Sequence, residues 1–551
     1  MVWGIMERSE KLSQINVINR KKNCQTMSAI ITDQFRILNA NNFIESVGNT
    51  SNSYYITVGL ANPAAAVGFG RDGNWDSATP DPTDNFNYVN HAQDTILFGK
   101  KLTTSNIRRL IRRVDWKRGT TYEIFRHDYS SENKSPETSS TRLYDAKYYV
   151  MNSDFRVYVC INNGSSGINT TGKGSEDEPF FTDLEPSKAG ESGDGYVWKY
   201  LFTVAPSDII KFDSTEYISV PNDWATSTDS QIQAVRENGD SDANENQIKH
   251  IYIEDPGANY AGGEVPIVGD GTGAKAVITV DSLGRITDAV ISSGGKGYTY
   301  AMVDLGTVQP SGSISNPAKL IPIIPPSKGH GHDLYKELGT DRVLLYARFD
   351  DSDKDFPTDT KFAQIAVVKN PLRGSSTNVF NDNQFSGTNA IKLLDDGTIS
   401  GENFLTVGNK ITQSITVDGD DVTAEGYVAS YDKTTKVIKF FQDRSQNYHP
   451  TEFNQQDYIG VTSEGRRFNF DSDGPKIFTS NGFSGKIDNG FTGITTNPEG
   501  NKNINLGIQF TKGLAEPEIN KTSGDVIYLD NRPLVTRDAR QKEDIKIILE
   551  F

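Results

Sequence analysis

The chain has 551 residues, which is more than one hydrophobic core supports, so we expect roughly three or four domains. Its net charge of −16 argues against binding nucleic acid over the whole surface, because such binding needs a basic footprint. Two cysteines, Cys24 and Cys160, argue against a disulfide scaffold and suit a reducing compartment, and no apolar run of about 18 residues predicts a membrane span.

The first 26 residues are polar and lack the apolar stretch of a signal peptide. We expect that translation begins at Met27, which would place Cys24 outside the natural protein. Residues 1–26 are therefore predicted to be a non-native or disordered extension.

The first predicted elements are a helix over 33–48 (DQFRILNANNFIESVG) and a strand over 54–60 (YYITVGL). In the loop that follows, Gly68, Gly70 and Gly73 match the dinucleotide pattern GxGxxG. That pattern must open a helix, and the prolines of ATPDPTDN prevent one. We predict a turn-rich loop without a nucleotide.

A second helix is predicted over SNIRRLIRRVDW, because its apolar residues recur at helical spacing: Ile107, Leu110, Ile111 and Val114. Its remaining surface carries four arginines: Arg108, Arg109, Arg112 and Arg113. Two interpretations remain open for them. They form a solvated helix face, or they bind an acidic patch on a partner protein.

Two strands joined by a turn at 152–154 are predicted over 147–163, and another strand over SGDGYVWKYLF (192–202). Alternation along that last strand puts four aromatic residues on one face: Tyr196, Trp198, Tyr200 and Phe202. The row is either a ligand platform or a sheet-packing core. Burial would stabilise the fold by roughly 1.5–3 kcal/mol per residue, so we expect a core, and the exposure of Trp198 distinguishes the two.

The segment EYISVP (216–221) is predicted to continue this sheet, and 225–247 to be a polar linker. An internal repeat follows at 248–306, in which a strand, a Gly-rich turn and a tyrosine recur around Tyr260 and Tyr298. Between the copies, GDGTGAK lacks the ending and the following helix of a phosphate loop. No nucleotide site is predicted there.

A proline-rich hinge is predicted at 320–333, and its histidines suggest a metal site: His330 and His332, with Asp333 and Glu337 nearby. The spacing marks no further ligand, so we expect exposed hinge histidines. In DDSDKDFP, Asp351, Asp353 and Asp355 resemble the start of a calcium loop, but Phe356 occupies the position of the required glycine. An EF-hand is therefore not predicted.

No GxSxG motif occurs, and Cys160 lies between apolar neighbours, which favours a packed thiol over a nucleophile. We predict no catalytic, cofactor-binding or metal-binding residues and no enzymatic activity. Strands are predicted at 342–351 and 361–372, throughout an all-β region at 373–523, and on either side of an Asn-Arg-Pro turn at 531–533. The expected fold is mainly β, sandwich-like and multi-domain, with a few short helices.

Several motifs in shared order resemble one family: the Trp75–Pro80–Pro82 loop, RRVDW (112–116), GDGYVWKYLF (193–202) with EYISVP, LLYARFDDSDKDFPTDTKFAQIAVVKNPL (344–372) and VIYLDNRPLVTRDARQKEDIKIILEF (526–551). The family is the baseplate wedge subunit of T-even-type contractile-tailed bacteriophages, gene product eight. The resemblance covers about 27–224, 328–372 and 524–551, roughly half of the chain. It implies a discontinuous body at 27–247, 328–372 and 524–551, with a Gly/Tyr β-repeat module inserted at 248–327 and an all-β domain at 373–523.

The resemblance further implies a non-enzymatic structural protein of the virion. It would be a homodimer in each wedge of a six-fold tail baseplate, assembled in the host cytoplasm. It would bridge neighbouring wedge proteins and rearrange with them when the sheath contracts, without nucleic acid, membrane, cofactor or small-molecule substrate. The alternatives are a receptor- or glycan-binding tail protein and, because the β regions are acidic and aromatic-rich, a glycan hydrolase.

Overall fold

Strands dominate the computed structural model of this protein, which confirms the predicted mainly β, multi-domain class with a few short helices. The structure describes residues 32–60, 75–238, 245–309, 316–350, 356, 360–374, 376–417, 420–442, 468, 476–479, 482–498, 500, 502–538 and 541–551. The candidate nucleotide glycines Gly68, Gly70 and Gly73 and the calcium-like aspartates Asp351, Asp353 and Asp355 lie outside these ranges. In the described part, no helix combines the length and apolarity that a membrane crossing needs.

The helices are α1 (Asp33–Gly48), α2 (Phe86–Asp94), α3 (Pro206–Phe212), α4 (Ser230–Asn238) and α5 (Leu334–Leu338). Helix α1 confirms the first prediction. It begins after Thr32, whose Oγ1 accepts a hydrogen bond from the Phe35 amide, as expected of an N-cap threonine. It buries Ile37, Ala40 and Ile44.

The strands between α1 and α5 are β1 (Tyr54–Gly59), β2 (Ile96–Leu102), β3 (Ile107–Arg112), β4 (Thr120–Thr121), β5 (Tyr149–Met151), β6 (Arg156–Asn163), β7 (Gly174–Ser175), β8 (Ser187–Lys188), β9 (Tyr196–Thr203), β10 (Tyr217–Val220), β11 (Ile251–Asp255), β12 (Gly263–Gly269), β13 (Thr272–Val280), β14 (Ile286–Lys296), β15 (Ala301–Val303) and β16 (Lys319–Pro322). The strands after α5 are β17 (Arg342–Phe349), β18 (Lys361–Lys369), β19 (Leu372–Arg373), β20 (Gln384–Ser386), β21 (Asn389–Lys392), β22 (Lys410–Val417), β23 (Asp420–Asp432), β24 (Val437–Phe441), β25 (Lys476–Thr479), β26 (Ser484–Lys486), β27 (Gly493–Thr496), β28 (Ile504–Phe510), β29 (Leu514–Ala515), β30 (Ile519–Asn520), β31 (Asp525–Thr536) and β32 (Glu543–Glu550).

Two antiparallel sheets share one core, although their strands come from distant parts of the chain. One sheet has the order β20-β2-β1-β18-β31, and the other has the order β10-β3-β17-β32. Ile56 and Val58 of the first sheet lie in the same buried cluster as Leu345 and Ile547 of the second. The arrangement is a sandwich in which the two sheets pack face to face.

A third sheet, β5-β6-β9-β8, has a separate core that is rich in aromatic side chains. The two strands predicted over 147–163 are β5 and β6, and the strand predicted over SGDGYVWKYLF is β9. The predicted strand at 216–221 joins the second sheet as β10, instead of continuing the sheet of β9.

Residues 248–324 build a further buried cluster around the sheet β14-β13-β12-β15 and the pair β11-β16. The predicted repeat has a structural counterpart, because Tyr260 and Tyr298 are both buried after turns that join strands. A seven-stranded sheet, β26-β25-β22-β23-β24-β21-β29, occupies much of the later region. Strands β19 and β30 pair where the chain enters and leaves that region.

The helix predicted over 107–114 is wrong, because residues 107–112 form strand β3. Strand β3 lies between β10 and β17 and has covered faces on both sides, with Ile107 and Leu110 fully buried. Apolar residues on both faces of a central strand produce the spacing of an amphipathic helix by coincidence. The alternation typical of a half-buried strand is lost.

Two smaller predictions are also wrong. The linker predicted over 225–247 contains helix α4, whose Val235 is buried. The Asn-Arg-Pro turn at 531–533 does not form, because β31 continues through it and absorbs Pro533 where its register against β18 shifts. Register irregularities of this kind are where a sheet tolerates proline.

Candidate functional site

The aromatic row of β9 is the landmark that the sequence singled out, and it lies inside the protein. Trp198 is 0% exposed and Tyr196 is 1% exposed, and the other two members are buried as well. Strand β9 is covered on both edges by β6 and β8. The prediction of a packing core is confirmed, and no surface platform for a ligand exists along this row.

The row is held by ring packing and by hydrogen bonds of its tyrosine hydroxyls. The Trp198 ring stacks on Tyr196 with centroids 5.2 Å apart and meets Tyr122 edge-on at 5.8 Å. The Tyr196 hydroxyl accepts from the Tyr122 amide at 2.8 Å and donates to the Lys173 carbonyl at 2.7 Å. Burial raises the pKa of Tyr196, so the hydroxyl stays protonated and acts as a structural anchor.

The turn that leads into β9 explains the glycines and the aspartate of the motif GDGYVW. Gly195 has φ of 90°, and a Cβ there would lie 2.7 Å from the Gly164 Cα. Both facts require glycine. The Asp194 carboxylate accepts from the amides of Tyr196 and Glu176, each at 2.9 Å. The motif therefore fixes how strand β9 enters the sheet, a structural role that needs no ligand.

The four arginines of this segment, three in β3 and Arg113 directly after it, mainly contact other residues of the same chain. Arg108 pairs with Asp208 of α3 at 2.7 Å. Arg109 is buried, donates to the side chains of Asn41 and Asn222, and lies over the Tyr335 ring with its guanidinium carbon 3.9 Å from the centroid.

The other two arginines also have intrachain carboxylate partners. Arg113 pairs with Asp115 and Asp213, and Arg112, which is half-exposed, approaches Asp145 at 3.5 Å. Neither open interpretation fits all four arginines. Most of these cations connect β3 to neighbouring elements, so the solvated helix face is wrong and a free basic patch is not formed.

The histidines of the predicted hinge differ from expectation. His330 is buried, and its Nδ1 lies 2.7 Å from Glu337 Oε1, while Glu337 Oε2 accepts from the Gly331 amide at 2.7 Å. His332 Nδ1 lies 3.2 Å from the Arg236 carbonyl oxygen. The prediction of exposed histidines is wrong for His330, because α5 folds back over the segment.

The described residues give little support for a metal site or for a cysteine nucleophile. They contain no group of three or more His, Cys, Asp and Glu side chains that could hold a metal ion. Cys160 is fully buried, and this burial raises the pKa of its thiol. Since the thiolate is the reactive form, the thiol is packed and inert, as the sequence predicts.

A surface cleft of about 440 Å³ lies where β9 and β10 end and α3 begins, and sequence reasoning missed it. The Arg108–Asp208 pair lines the cleft, together with Val204, Ser219 and Asp223. The Ser219 hydroxyl is buried without a hydrogen-bond partner in the described structure. The residues that line the cleft come from segments more than 100 residues apart, so no local sequence signal marks the cleft.

Comparison with known proteins bears on the strands just described. The family described as "Bacteriophage T4, Gp8" matches residues 160–254, which run from β6 to β11 and include the aromatic strand. A protein named "Baseplate wedge protein gp8", from Enterobacteria phage T4, is 27% identical over 224 residues, which cover 35% of this chain and 60% of the relative. The chain thus spans about 60% of the length of that relative. These matches confirm the resemblance to the gene product eight family of baseplate wedge proteins that the motifs predict.

Proposed function

We propose that this chain is a structural component of a phage tail baseplate wedge and acts in the virion without catalysis. The observation that carries the proposal is the match to the Gp8 family over residues 160–254, centred on strands whose aromatic residues form a core. The packing of Arg108, Arg109 and His330 agrees with this role, because these side chains contact other parts of the same chain and hold the body together.

The finer features of the role are part of the same proposal. The chain acts as a homodimer that bridges neighbouring wedge proteins and exchanges contacts with them when the sheath contracts. It is assembled in the host cytoplasm and binds no nucleic acid, membrane or small-molecule substrate. Rearranging assemblies of this kind use packed units that move as rigid bodies and exchange interface contacts.

We also propose that one discontinuous body carries two insertions, at 248–327 and 373–523. The first is supported by a buried cluster drawn from residues 248–324 alone. The second is supported by the pairing of β19 with β30 at its two ends. Its boundary is not sharp, because β20 pairs with β2 of the body and Phe441 packs into the shared sandwich core.

Co-expression with the other wedge proteins of the same phage, followed by electron microscopy of the purified particles, tests the proposal. We expect the chain to enter a wedge complex, and its mass in solution to be twice that of one chain. Leaving out one wedge protein at a time identifies which neighbours it bridges. A chain that folds and enters no wedge complex would contradict the proposal. Turnover of a saccharide would favour the alternative function, a glycan hydrolase.

A further inference from the structure

Strand β32 is an open edge of the second body sheet. It pairs with β17 over its full length of eight residues, from Arg342↔Glu550 to Phe349↔Glu543. It is the last strand in the order β10-β3-β17-β32. The amide of Phe551, directly after β32, donates to the carbonyl of Asp341, directly before β17. The odd-numbered residues of β32 therefore point their backbone amides and carbonyls toward β17.

Backbone groups alternate direction along a strand, so the even-numbered residues of β32 point their amides and carbonyls away from the sheet. These residues are Asp544, Lys546, Ile548 and Glu550. Within the described ranges, no backbone group of another strand pairs with them. Their side chains are also exposed, so the edge is accessible from the side and from one face.

Four other sheet edges in the described structure are protected in ways that natural proteins use against edge pairing. Strand β31 carries Pro533 and two register shifts. Strand β10 has four residues and β20 has three. Strand β14 is long, but its register shifts twice, and amides of Gly167 and Ile248 donate to its ends. Strand β32 has neither proline nor a shift, so it stands out as a pairing edge.

The charges on β32 suit a second copy of the same strand running antiparallel. Two antiparallel copies of β32 are related by a two-fold axis, and three pairing registers place this axis near the middle of the strand. An axis at Lys546 sets lysine against lysine, and an axis at Ile547 sets Asp544 against Glu550. An axis at Ile545 sets Asp544 of one chain against Lys546 of the other, twice, and opposite charges directly across a strand pair stabilise it.

We propose that two copies of this chain associate through β32, centred on Ile545, so that their four-stranded sheets join into one eight-stranded sheet. This inference rests on the proposed homodimer and names the surface that forms it. In this register, Asp544 and Lys546′ form hydrogen-bonded pairs, which use the outward backbone groups, and Ile545 faces Ile545′ as a non-hydrogen-bonded pair. Asp544 already accepts from Arg348 at 2.6 Å and from the Tyr346 hydroxyl at 2.9 Å, which holds its carboxylate in place for Lys546 of the other copy.

Cysteine cross-linking tests the register. The variant Ile545→Cys, in a Cys24→Ser background, should form an intermolecular disulfide on oxidation, because Cα atoms of a non-hydrogen-bonded pair are about 4.5 Å apart. The matched control is Ile547→Cys. It is buried on the same face but lies opposite residue 543 of the other copy, so it should not cross-link. A cross-link through 547 and none through 545 would overturn the proposed register.

Charge exchange tests the same contact without cysteine. Lys546→Asp and Asp544→Lys should each weaken the dimer about tenfold, since each replaces two attractive pairs with two repulsive ones. An equal mixture of the two variants should recover the dimer, because unlike charges then face each other. Lys275→Asp, in the exposed Lys275–Glu264 pair of β13 and β12, makes a comparable change elsewhere and should leave the dimer unchanged. Circular dichroism and thermal unfolding confirm that each variant folds.

The outcomes separate this inference from the proposed function. If every variant remains a wild-type dimer, the β32 contact is wrong and the wedge role stands. If the variants dimerise normally but fail to enter the wedge, β32 pairs with another wedge protein, and the second copy is the wrong occupant. If the wild-type chain enters the wedge as a monomer, the dimer itself is wrong. Failure of the wild-type chain to enter any wedge counts against the function.

Discussion

Two regions of the molecule use buried tyrosines in different ways. In the aromatic sheet, the hydroxyl of Tyr196 joins the Tyr122 amide to the Lys173 carbonyl. These two partners lie in separate segments, one next to β4 and one next to β7, with β5 and β6 between them in the chain. In the region 248–324, the Tyr298 hydroxyl accepts from the Ala274 amide at 3.1 Å and donates to the Ile267 carbonyl at 3.2 Å. Both partners belong to the hairpin of β12 and β13.

The turns of the repeat explain how the Tyr298 hydroxyl reaches both strands of a single hairpin. Gly257 and Asn259 before Tyr260 have φ of 61° and 66°, and Gly295 and Gly297 before Tyr298 have φ of 59° and 77°. The same left-handed positions, three residues and one residue before each tyrosine, reverse the chain and place the ring under the strands. Each copy of the repeat therefore carries its own turn and buried tyrosine, whereas the aromatic sheet depends on segments brought together by the whole fold.

Replacing Trp198 with alanine should have the largest effect, because it empties the centre of the aromatic sheet. We expect a loss of about 3–5 kcal/mol in the free energy of opening of β6 and β9, measured by hydrogen exchange, with β12 and β13 little affected. Trp198→Phe is the control. It keeps a ring, and the Trp198 Nε1 has no hydrogen-bond partner to lose in the described structure, so its effect should be much smaller. Equal losses in both regions would show that the two cores are not independent.

The sequence was sufficient to favour the aromatic core over a ligand platform, because four large residues at every second position stabilise the fold strongly when they are buried. It also predicted helix α1, whose residues form one continuous segment of the sequence. It failed for β3, because a strand that is covered on both faces loses its alternation. The partners of its arginines could not be inferred, since Asp208 and Tyr335 lie 100 and more residues away and are brought near only by the fold.

The candidate surfaces could not be predicted from the sequence. The cleft beside Asp208 and the open edge of β32 depend on which strands are neighbours, and sheet order is not written in any local pattern. By contrast, the repeat was recognisable because each copy carries its turn glycines and its tyrosine within a few residues. Local encoding is visible in a sequence, and long-range encoding is not.

The junction between the two regions should be sensitive to acid through His250. Its ring is buried, and burial, with a smaller effect of Arg126, lowers its pKa from 6.5 to about 4. The unfolded state then binds the proton more readily than the folded state. The stability that depends on a neutral ring is complete above about pH 6.5, falls as the pH drops toward 4, and amounts to about 3 kcal/mol at most.

Hydrogen exchange of β11 at pH 7.5 and pH 4.5, corrected for the intrinsic exchange rate, measures this dependence. The variant His250→Gln has a side chain of similar size that does not titrate, so its protection should change less between the two pH values. The aromatic sheet serves as an internal reference, since Trp198 does not titrate and burial raises the pKa values of the Tyr196 and Tyr122 hydroxyls that pack against it. Identical pH profiles for the wild type and the variant would contradict the assignment to His250.

Replacing Tyr298 with phenylalanine should destabilise the repeat by about 2 kcal/mol, because it leaves the amide of Ala274 and the carbonyl of Ile267 buried without their partner. The ring and its packing remain. We expect faster exchange in β13 and β14 and no change in β6 and β9. A matching change in the aromatic sheet would contradict the local character of this plug.

The smallest effect is expected for Tyr260→Phe. The Tyr260 hydroxyl accepts one hydrogen bond, from the Ala318 amide at 2.9 Å, in a partly buried position. Water can replace that partner, so we expect a loss of about 1 kcal/mol, confined to the exchange of β11 and β16. The ratio between the two tyrosine variants is the sensitive quantity, because their rings and preceding turns are equivalent and mainly the hydroxyl partners differ. If Tyr260→Phe were as costly as Tyr298→Phe, the hydrogen bonds of the hydroxyl would not be what distinguishes the two copies.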